Sequence, residues 1–233
     1  MPMNNLTLTH YQRLTKSIQF LKNRASFVSE KFTELACYPE VVREQAYINY
    51  CVSSATIPLL QETIRCAKLR PEDPLSQPLI SYMERHIPEE EGHDTLSLDD
   101  FVRLGGCREN AIKRVPPSNI MAMIGSQYYL LRHNPVAFMG YLACLEVNHP
   151  TVEYVEKLIE TSGLPAKGFS SLMLHATVDI HHKQEIIDTL NDLPLTEEAY
   201  KVVEMSAFQT YRYVALVMED VCRVASTQEK TSA

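Results

Sequence analysis

Prolines and glycines divide this sequence into segments with the periodicity of α-helices. The chain has only 7 glycines in 233 residues and no Asn-Gly or Asp-Gly hairpin signal. No segment alternates apolar and polar residues with the two-residue period of a half-buried strand. Steps of three and four residues instead join the apolar positions of the first segment, which are Ile18, Leu21, Ala25, Val28, Phe32 and Leu35. These features predict an all-α fold.

The positions of the breaks predict where the helices lie. A first apolar helix over residues 8–37 ends near Tyr38-Pro39, and a helix that begins near Pro74 kinks at Pro88 and resumes through residues 89–96. A capping box at Ser97-x-x-Asp100 then begins a short helix that stops at Gly105-Gly106. The remaining predicted helices cover residues 41–67 (with Pro58 inside), 119–133, 136–148, 152–162, 166–190 and 196–224.

The short connections predict one domain. No repeat of fixed period is present, so residues 1–225 are expected to form a single helical domain. Residues 226–233 are polar and are expected to form a C-terminal tail.

The charge balance excludes two classes of partner. The chain has 22 Lys and Arg against 29 Asp and Glu, a net charge of −7. Nucleic acids and anionic membranes both require a basic face, and none is visible. The six cysteines form no C-x-x-C pair, and no apolar targeting segment follows the polar N-terminus. We therefore expect a soluble, reduced, cytoplasmic protein.

Two short windows contain most of the histidines, together with carboxylates. The first holds His86, Glu90 and His93, and the second holds His181 and the pattern His175-x-x-x-Asp179-x-x-His182. Steps of four and three residues place the second set on one helical face, and Glu90-x-x-His93 is expected to repeat this geometry on another helix. Bundle proteins use such acid and imidazole pairs from facing helices to hold two iron or manganese ions.

The longer of the two patterns is the more specific. An acid three residues before a histidine is expected about once by composition and occurs three times, the third pair being Glu146 and His149. His-x3-acid-x2-His is expected only on the order of 0.03 times in such a chain.

Glu62 and Glu146 each lie on an otherwise apolar helical face. A buried carboxylate requires a cation or a strong donor. With Glu90 and Asp179 they give four carboxylates beside three imidazoles, a ligand set that suits two divalent ions. Glu62 has an alternative as the ion-pair partner of Arg65, and His149 as the cap of a helix C-terminus.

The order of these motifs along the chain is similar to that of a known family. His86-Ile-Pro-Glu-Glu-Glu-Gly-His93, then Gly140-Tyr141 with Leu145-Glu146, then His175-x3-Asp179-x2-His182 resemble the haem-oxygenase-like di-iron oxidases. These belong to one superfamily with thiaminase II and pyrroloquinoline-quinone synthase, and the resemblance covers about residues 55–220. It implies a haem-oxygenase-like helical bundle and is compatible with a homodimer.

The resemblance also implies the ligands and the activity. The metal ligands would be Glu62, Glu90, His93, Glu146, His175, Asp179 and His182, with Glu84, Glu89 and Glu91 as alternatives to Glu90. Two ferrous ions, or manganese instead, would activate O2 to oxidise a small substrate of the fatty acid, amino acid or amine class. The sequence assigns no catalytic side chain beyond the ligands.

Two other functions are consistent with the fold. One is a metal-free enzyme of the thiaminase-II or quinone-synthase type acting on a heterocycle, for which Cys144 is the candidate nucleophile. The tyrosine expected four residues later is Asn148 here, and no basic neighbour is evident to lower the pKa of the thiol. The other is a non-catalytic binding protein in which the histidines and acids form buried polar pairs.

Overall fold

The computed structural model describes residues 8–148 and 150–229, and for residues 178–181 and 226–229 it describes the backbone alone. Within these ranges the chain forms α-helices and two short 3-10 turns, at Pro135–Ala137 and Ala166–Phe169, and no strand. The all-α prediction is therefore confirmed. The helices are α1 (His10–Ser17), α2 (Gln19–Leu35), α3 (Pro39–Lys68), α4 (Ser76–Glu90), α5 (His93–Arg103), α6 (Arg108–Lys113), α7 (Ser118–His133), α8 (Phe138–Leu145), α9 (Val152–Ser162), α10 (Ser170–Asp192) and α11 (Glu197–Glu229).

Two long helices, α3 and α11, organise the bundle. Helix α3 packs against α4, α5 and α7, and α11 packs against α2, α7 and α8. Pro58 lies inside α3 without ending it. The inner faces supply a core of large apolar side chains that includes Leu59, Leu60, Leu79 and Phe138. Burial of these side chains is the main stabilising term of the fold.

The helical segment predicted over residues 8–37 is two helices. Ile18 has φ −98° and ψ 5°, which interrupts the helical backbone between α1 and α2. Helix α1 begins with a capping box in which the side chain of Thr9 accepts from the backbone N–H of Gln12. The apolar stripe nevertheless continues across the break, because Leu14, Ile18 and Leu21 are all buried.

The predicted boundary at Ser97 is wrong, because the chain breaks earlier, at Gly92. Helix α4 continues through Pro88 to Glu90, and Gly92 then adopts the left-handed conformation with φ 87°. A residue without a Cβ takes this conformation at no steric cost. Helix α5 begins at His93 and passes through Ser97, whose hydroxyl lies 3.1 Å from that of Ser53 and 2.9 Å from that of Ser171. These hydroxyls connect α3, α5 and α10.

A glycine on α8 allows this helix to lie close to α11. A Cβ on Gly140 would lie 2.2 Å from the carbonyl oxygen of Val203 and 2.9 Å from the backbone nitrogen of Ala207. The helix predicted over residues 136–148 begins as a 3-10 turn and ends at Leu145. Glu146 is therefore the first residue after α8, and His149 lies outside the described residues.

In the C-terminal part of the chain, the helices differ from the sequence prediction mainly in where they begin and end. Helix α10 is preceded by a 3-10 turn over part of the predicted helix, and Asp100 on α5 fixes its start by accepting from the backbone N–H of Ser171 at 2.6 Å. The backbone of α11 remains helical to Glu229, within the segment expected to be a tail. Among the helices of the described ranges, none has the length and apolar character needed to cross a bilayer.

Candidate metal centre

Imidazole and carboxylate side chains from four parts of the chain converge inside the bundle. They come from the end of α4, the start of α5, the residue after α8 and the middle of α10. We call this set the donor cluster; its members are His86, Glu89, Glu90, His93, Glu146, His175 and His182.

His86 lies at the centre of one half of the cluster. Its Nδ1 donates to Oε2 of Glu89 at 3.1 Å, and its Nε2 lies 3.2 Å from both oxygens of Glu146, with Oε1 accepting the hydrogen bond. His182 completes this half, because its Nε2 lies 3.3 Å from Oε2 of Glu89. The rings of His86 and His182 meet edge to face, with centroids 5.1 Å apart.

Glu90 connects this half to the other. Its Oε1 lies 3.8 Å from Nε2 of His86, and its Oε2 accepts from Nδ1 of His93 at 3.1 Å. The ring of His93 in turn meets the ring of His175 edge to face, with centroids 4.9 Å apart. The carboxylate of Glu90 therefore lies between two groups of imidazoles.

Two subsets of the cluster have the compactness of a metal site. The donor atoms of His86, Glu89 and His182 lie within 4.8 Å of one another, and so do those of His86, Glu90 and Glu146. Carboxylate oxygens and imidazole nitrogens are the ligands that iron and manganese take in helical bundles. The donor set thus has the chemistry of an iron site.

Burial sets the protonation of the cluster. Burial disfavours a charged imidazole at His86, but the carboxylates of Glu146, Glu90 and Glu89 outweigh this effect and raise its pKa to about 9. Burial raises the pKa of Glu146, and His86 opposes that shift only in part. Burial acts on Glu90 in the same direction, but the hydrogen bond from His93 and the imidazoles of His86 and His175 lower its pKa.

Glu146 provides a specific test of whether a cation fits. Its Oε2 is buried and makes no hydrogen bond with the described residues, although imidazoles lie close to it. A buried carboxylate oxygen without a hydrogen bond is costly in a protein interior. A divalent ion would compensate this cost, so the residues present fit a divalent metal ion such as iron.

The break at Gly92 explains how Glu90 and His93 come together. We expected them on one helical face, but Glu90 is the last residue of α4 and His93 is the first residue of α5. The left-handed backbone at Gly92 turns the chain so that both side chains point inward, with relative exposures of 6% and 8%. Of the neighbouring acids, Glu89 belongs to the cluster and Glu91 is exposed.

The structure does not bring Glu62 to the other candidate ligands. Its two oxygens accept from Nε and Nη2 of Arg65, both at 2.7 Å, one turn along α3. Nε of Arg132 also approaches Glu62, at 3.9 Å from its Oε1. The ion-pair alternative therefore describes Glu62. Glu84 also lies apart from the cluster, since it is exposed and pairs with Lys68 at 3.4 Å.

Asp179 falls in the part of α10 for which only the backbone is described. Its role as a ligand therefore stays a prediction from the sequence pattern. The backbone of α10 is helical through this region, so the prediction that His175, Asp179 and His182 belong to one helix is confirmed.

His86 is the central residue that the sequence analysis did not assign as a ligand. It is 1% exposed and lies four residues before Glu90 on α4. The ring of Tyr82, four residues earlier still, stacks on it at a centroid distance of 5.6 Å. The four-residue spacing of Tyr82, His86 and Glu90 was the signal that could have identified it.

A cavity of about 230 Å³ adjoins the donor cluster. Glu90, Glu146 and His175 line it, and aliphatic side chains make up most of the remaining wall. Tyr141 also lines it, and its buried hydroxyl makes no hydrogen bond with the described residues. Small-molecule sites commonly combine an apolar wall with a few polar groups in this way.

Cys144 lacks the environment of a nucleophile. It is buried, its Sγ donates to the carbonyl oxygen of Ala207 at 3.4 Å, and burial raises the pKa of the thiol well above its ordinary value. Reactive cysteines require the opposite shift. The thiaminase-type alternative therefore gains no support from this residue.

Comparison with known proteins gives both a family and a fold. Residues 71–211, more than half of the chain, match the family described as iron-containing redox enzymes. A search of curated proteins finds no match. A domain of unknown function with a haem-oxygenase-like fold from Shewanella denitrificans OS217 is 19% identical over 93% of this chain and 94% of its own, with a TM-score of 0.73.

A homolog of TenA from Pseudomonas syringae pv. tomato DC3000 is 15% identical over 95% of this chain and 96% of its own, with a TM-score of 0.72. These likenesses show the fold, and the family match agrees with the chemistry of the donor cluster. The chain belongs to the iron-containing redox enzymes and has the haem-oxygenase-like helical fold.

Proposed function

We propose that this protein is an O2-activating non-haem oxidase that uses two ferrous ions to oxidise a small organic substrate. The observation that carries the proposal is the donor cluster itself, in which carboxylates and imidazoles from α4, α5, α10 and the residue after α8 meet beside a cavity. When bound, ferrous ions in such ligands supply the electrons that reduce dioxygen.

The protein side chains would divide the work of holding the metal. Glu90, which lies between the two groups of imidazoles, would be one carboxylate ligand, and Glu146 would contribute the oxygen that makes no hydrogen bond in the described part of the chain. His93, His175 and His182 would be the imidazole ligands, with Asp179 added from the sequence pattern. His86 contacts three carboxylates and would either bind a metal ion itself or orient these carboxylates.

The surroundings would control access to the site. The stacked ring of Tyr82 covers one side of His86, so the imidazole is held in one orientation. The cavity on the side of Glu90 and Glu146 would hold the substrate next to the metal and exclude bulk water. No other side chain is required to explain an oxidation that the metal carries out.

Reconstitution without oxygen tests the proposal. Protein loaded with ferrous iron should bind about two ions per chain and consume O2 when a substrate is present. His175→Ala and Asp179→Ala should lose iron binding while their circular dichroism stays helical. His133→Ala, on the exposed end of α7, is the matched control and should bind iron as the wild type does.

The outcomes also separate the competing functions. Binding of well under one ion per chain, with no absorbance change on mixing with oxygen, would reject the proposal in favour of the metal-free alternative. Unchanged iron content in both variants would reject the ligand assignment while leaving iron binding in place.

A further inference from the structure

The cavity beside the donor cluster restricts the chemistry of the substrate. This argument rests on the proposed function, because it takes the cavity as the substrate site of that centre. A cavity of about 150 Å³ holds a benzene ring, so about 230 Å³ suits a molecule of about ten non-hydrogen atoms. Most of its wall is aliphatic, which favours a compact apolar body.

One wall of the cavity is polar but uncharged. Gln45, Asn49, Ser53 and Thr56 line it from α3. Their spacing of four, four and three residues places them in one row along the helix. The two hydroxyls already have partners, because that of Ser53 contacts the hydroxyl of Ser97 and that of Thr56 donates to the carbonyl oxygen of Val52.

Asn49 offers a ligand an N–H donor, whereas Oε1 of Gln45, which makes no hydrogen bond with the described residues, can only accept. Oδ1 of Asn49 accepts from Nε2 of Gln45 at 2.8 Å, which fixes the orientation of the Asn49 amide. Its Nδ2 donates no hydrogen bond within the described ranges. This atom is not fully buried by the protein, so a molecule in the cavity can reach it. The wall therefore offers a hydrogen-bond donor to whatever fills the cavity.

The wall offers no positive charge away from the metal ligands. Among the described residues that line the cavity there is no Lys or Arg, and the carboxylates there are those of Glu90 and Glu146. An anionic group placed at the α3 wall would lose its hydration without gaining a partner of opposite charge. A carbonyl, ether or hydroxyl oxygen has no such cost.

We infer that the substrate is an uncharged, mainly apolar molecule of about ten non-hydrogen atoms, and that Nδ2 of Asn49 donates a hydrogen bond to its polar oxygen. This excludes a substrate that presents a carboxylate to the α3 wall. Asn49 is then a specificity-determining residue, separate from the metal ligands.

Three probes of nearly equal size test the inference by calorimetry: 4-methylacetophenone, 4-ethyltoluene and 4-ethylbenzoate. They are measured on iron-free protein and on ferrous-loaded protein without oxygen. The ketone should bind tightest and the carboxylate weakest in both forms. Asn49→Asp keeps the acceptor for Gln45 but replaces the donor with an anionic acceptor, so it should weaken the ketone about tenfold and leave 4-ethyltoluene unchanged.

Asn110→Asp, an exposed residue of α6, makes the same change in charge and should alter none of the three affinities. Tightest binding of 4-ethylbenzoate in either form, equal effects of the two variants, or no binding of the ketone would overturn the inference. Iron content is measured on the same samples. A protein that binds the ketone through Asn49 but binds no iron would retain this cavity assignment and lose the proposed function, and the reverse result would do the opposite.

Discussion

At the scale of single residues, the structure separates acids that belong to the donor cluster from acids that form ion pairs with arginine. The sequence pattern predicts both Glu62 and Glu146 on apolar helical faces and so treats them alike. In the structure Arg65 satisfies both oxygens of Glu62, whereas Glu146 faces imidazoles and keeps one oxygen without a hydrogen bond in the described part of the chain. What differs is the partner, which helical periodicity does not specify.

Glu62→Gln should therefore leave iron binding unchanged, whereas Glu146→Gln should reduce it. The hydrogen bonds from Arg65 hold the pKa of Glu62 below its ordinary value of 4.5, with burial opposing. The ion pair then stabilises the fold above that ordinary value, and the contribution is lost as the pH falls through the lowered pKa. Urea unfolding should show Glu62→Gln to be less stable at pH 7 by at most about 1 kcal/mol, with a smaller difference at pH 3. A loss of iron from Glu62→Gln would restore it as a ligand.

His86→Ala should destabilise the iron-free protein by about 3 kcal/mol, because the buried carboxylates of Glu90 and Glu146 lose their shared partner. Denaturant unfolding at pH 7 measures the change. His133→Ala, which removes an exposed imidazole, should change the unfolding free energy by less than about 0.5 kcal/mol. Equal effects of the two substitutions would show that His86 makes no net contribution to the fold.

At the scale of helices, the way α4 passes to α5 decides the shape of the site. Pro88 is a strong break signal, and the sequence prediction placed the kink there and the next helix start at Ser97. Helix α4 instead runs through Pro88 and ends at Glu90. The chain turns at Gly92, because glycine adopts the left-handed backbone conformation more easily than the residues around it. Helix boundaries depend on such competition between signals.

Gly92→Ala should destabilise the protein by about 1–2 kcal/mol and weaken iron binding, since an L-residue at φ 87° is strained although no atom lies within 4 Å of the added Cβ. Gly125→Ala is the matched control, because Gly125 lies within α7 and its Cβ would also meet nothing. That variant should gain about 0.5–1 kcal/mol. Thermal unfolding and iron titration of both variants measure the effects, and equal shifts in the same direction would contradict the role of Gly92.

Most of the helices could be predicted from the sequence, whereas part of the donor cluster could not. The all-α class and the ligand windows followed from periodicity and from the spacing in His175-x3-Asp179-x2-His182, because a helix converts spacing directly into a shared face. The contact of His86 with Glu146 joins residues on α4 and after α8, so it depends on how helices pack. The break at Ile18 is also invisible to periodicity, since the apolar stripe runs through it.

At the scale of the whole molecule, metal binding should couple to stability. An ion that binds the folded chain and not the unfolded chain raises the unfolding free energy by about 2.7 kcal/mol at a concentration one hundred times its dissociation constant. Calorimetry without oxygen should therefore show a higher Tm with ferrous or manganous ions and little change with magnesium, which prefers oxygen ligands and retains water. His175→Ala should abolish the shift, and a persistent shift in that variant would place the ions elsewhere.

The turn at Glu91-Gly92 makes the distance in sequence between Glu90 and His93 a property of a loop, not of a helix. Insertions and deletions are tolerated in turns far better than inside helices. Relatives of this protein can therefore vary the number of residues between acid and imidazole while both helices stay intact. A search that requires a fixed Glu-x-x-His spacing would overlook such relatives, whereas His-x3-Asp-x2-His on α10 can be searched for with a fixed spacing because the helix itself sets it.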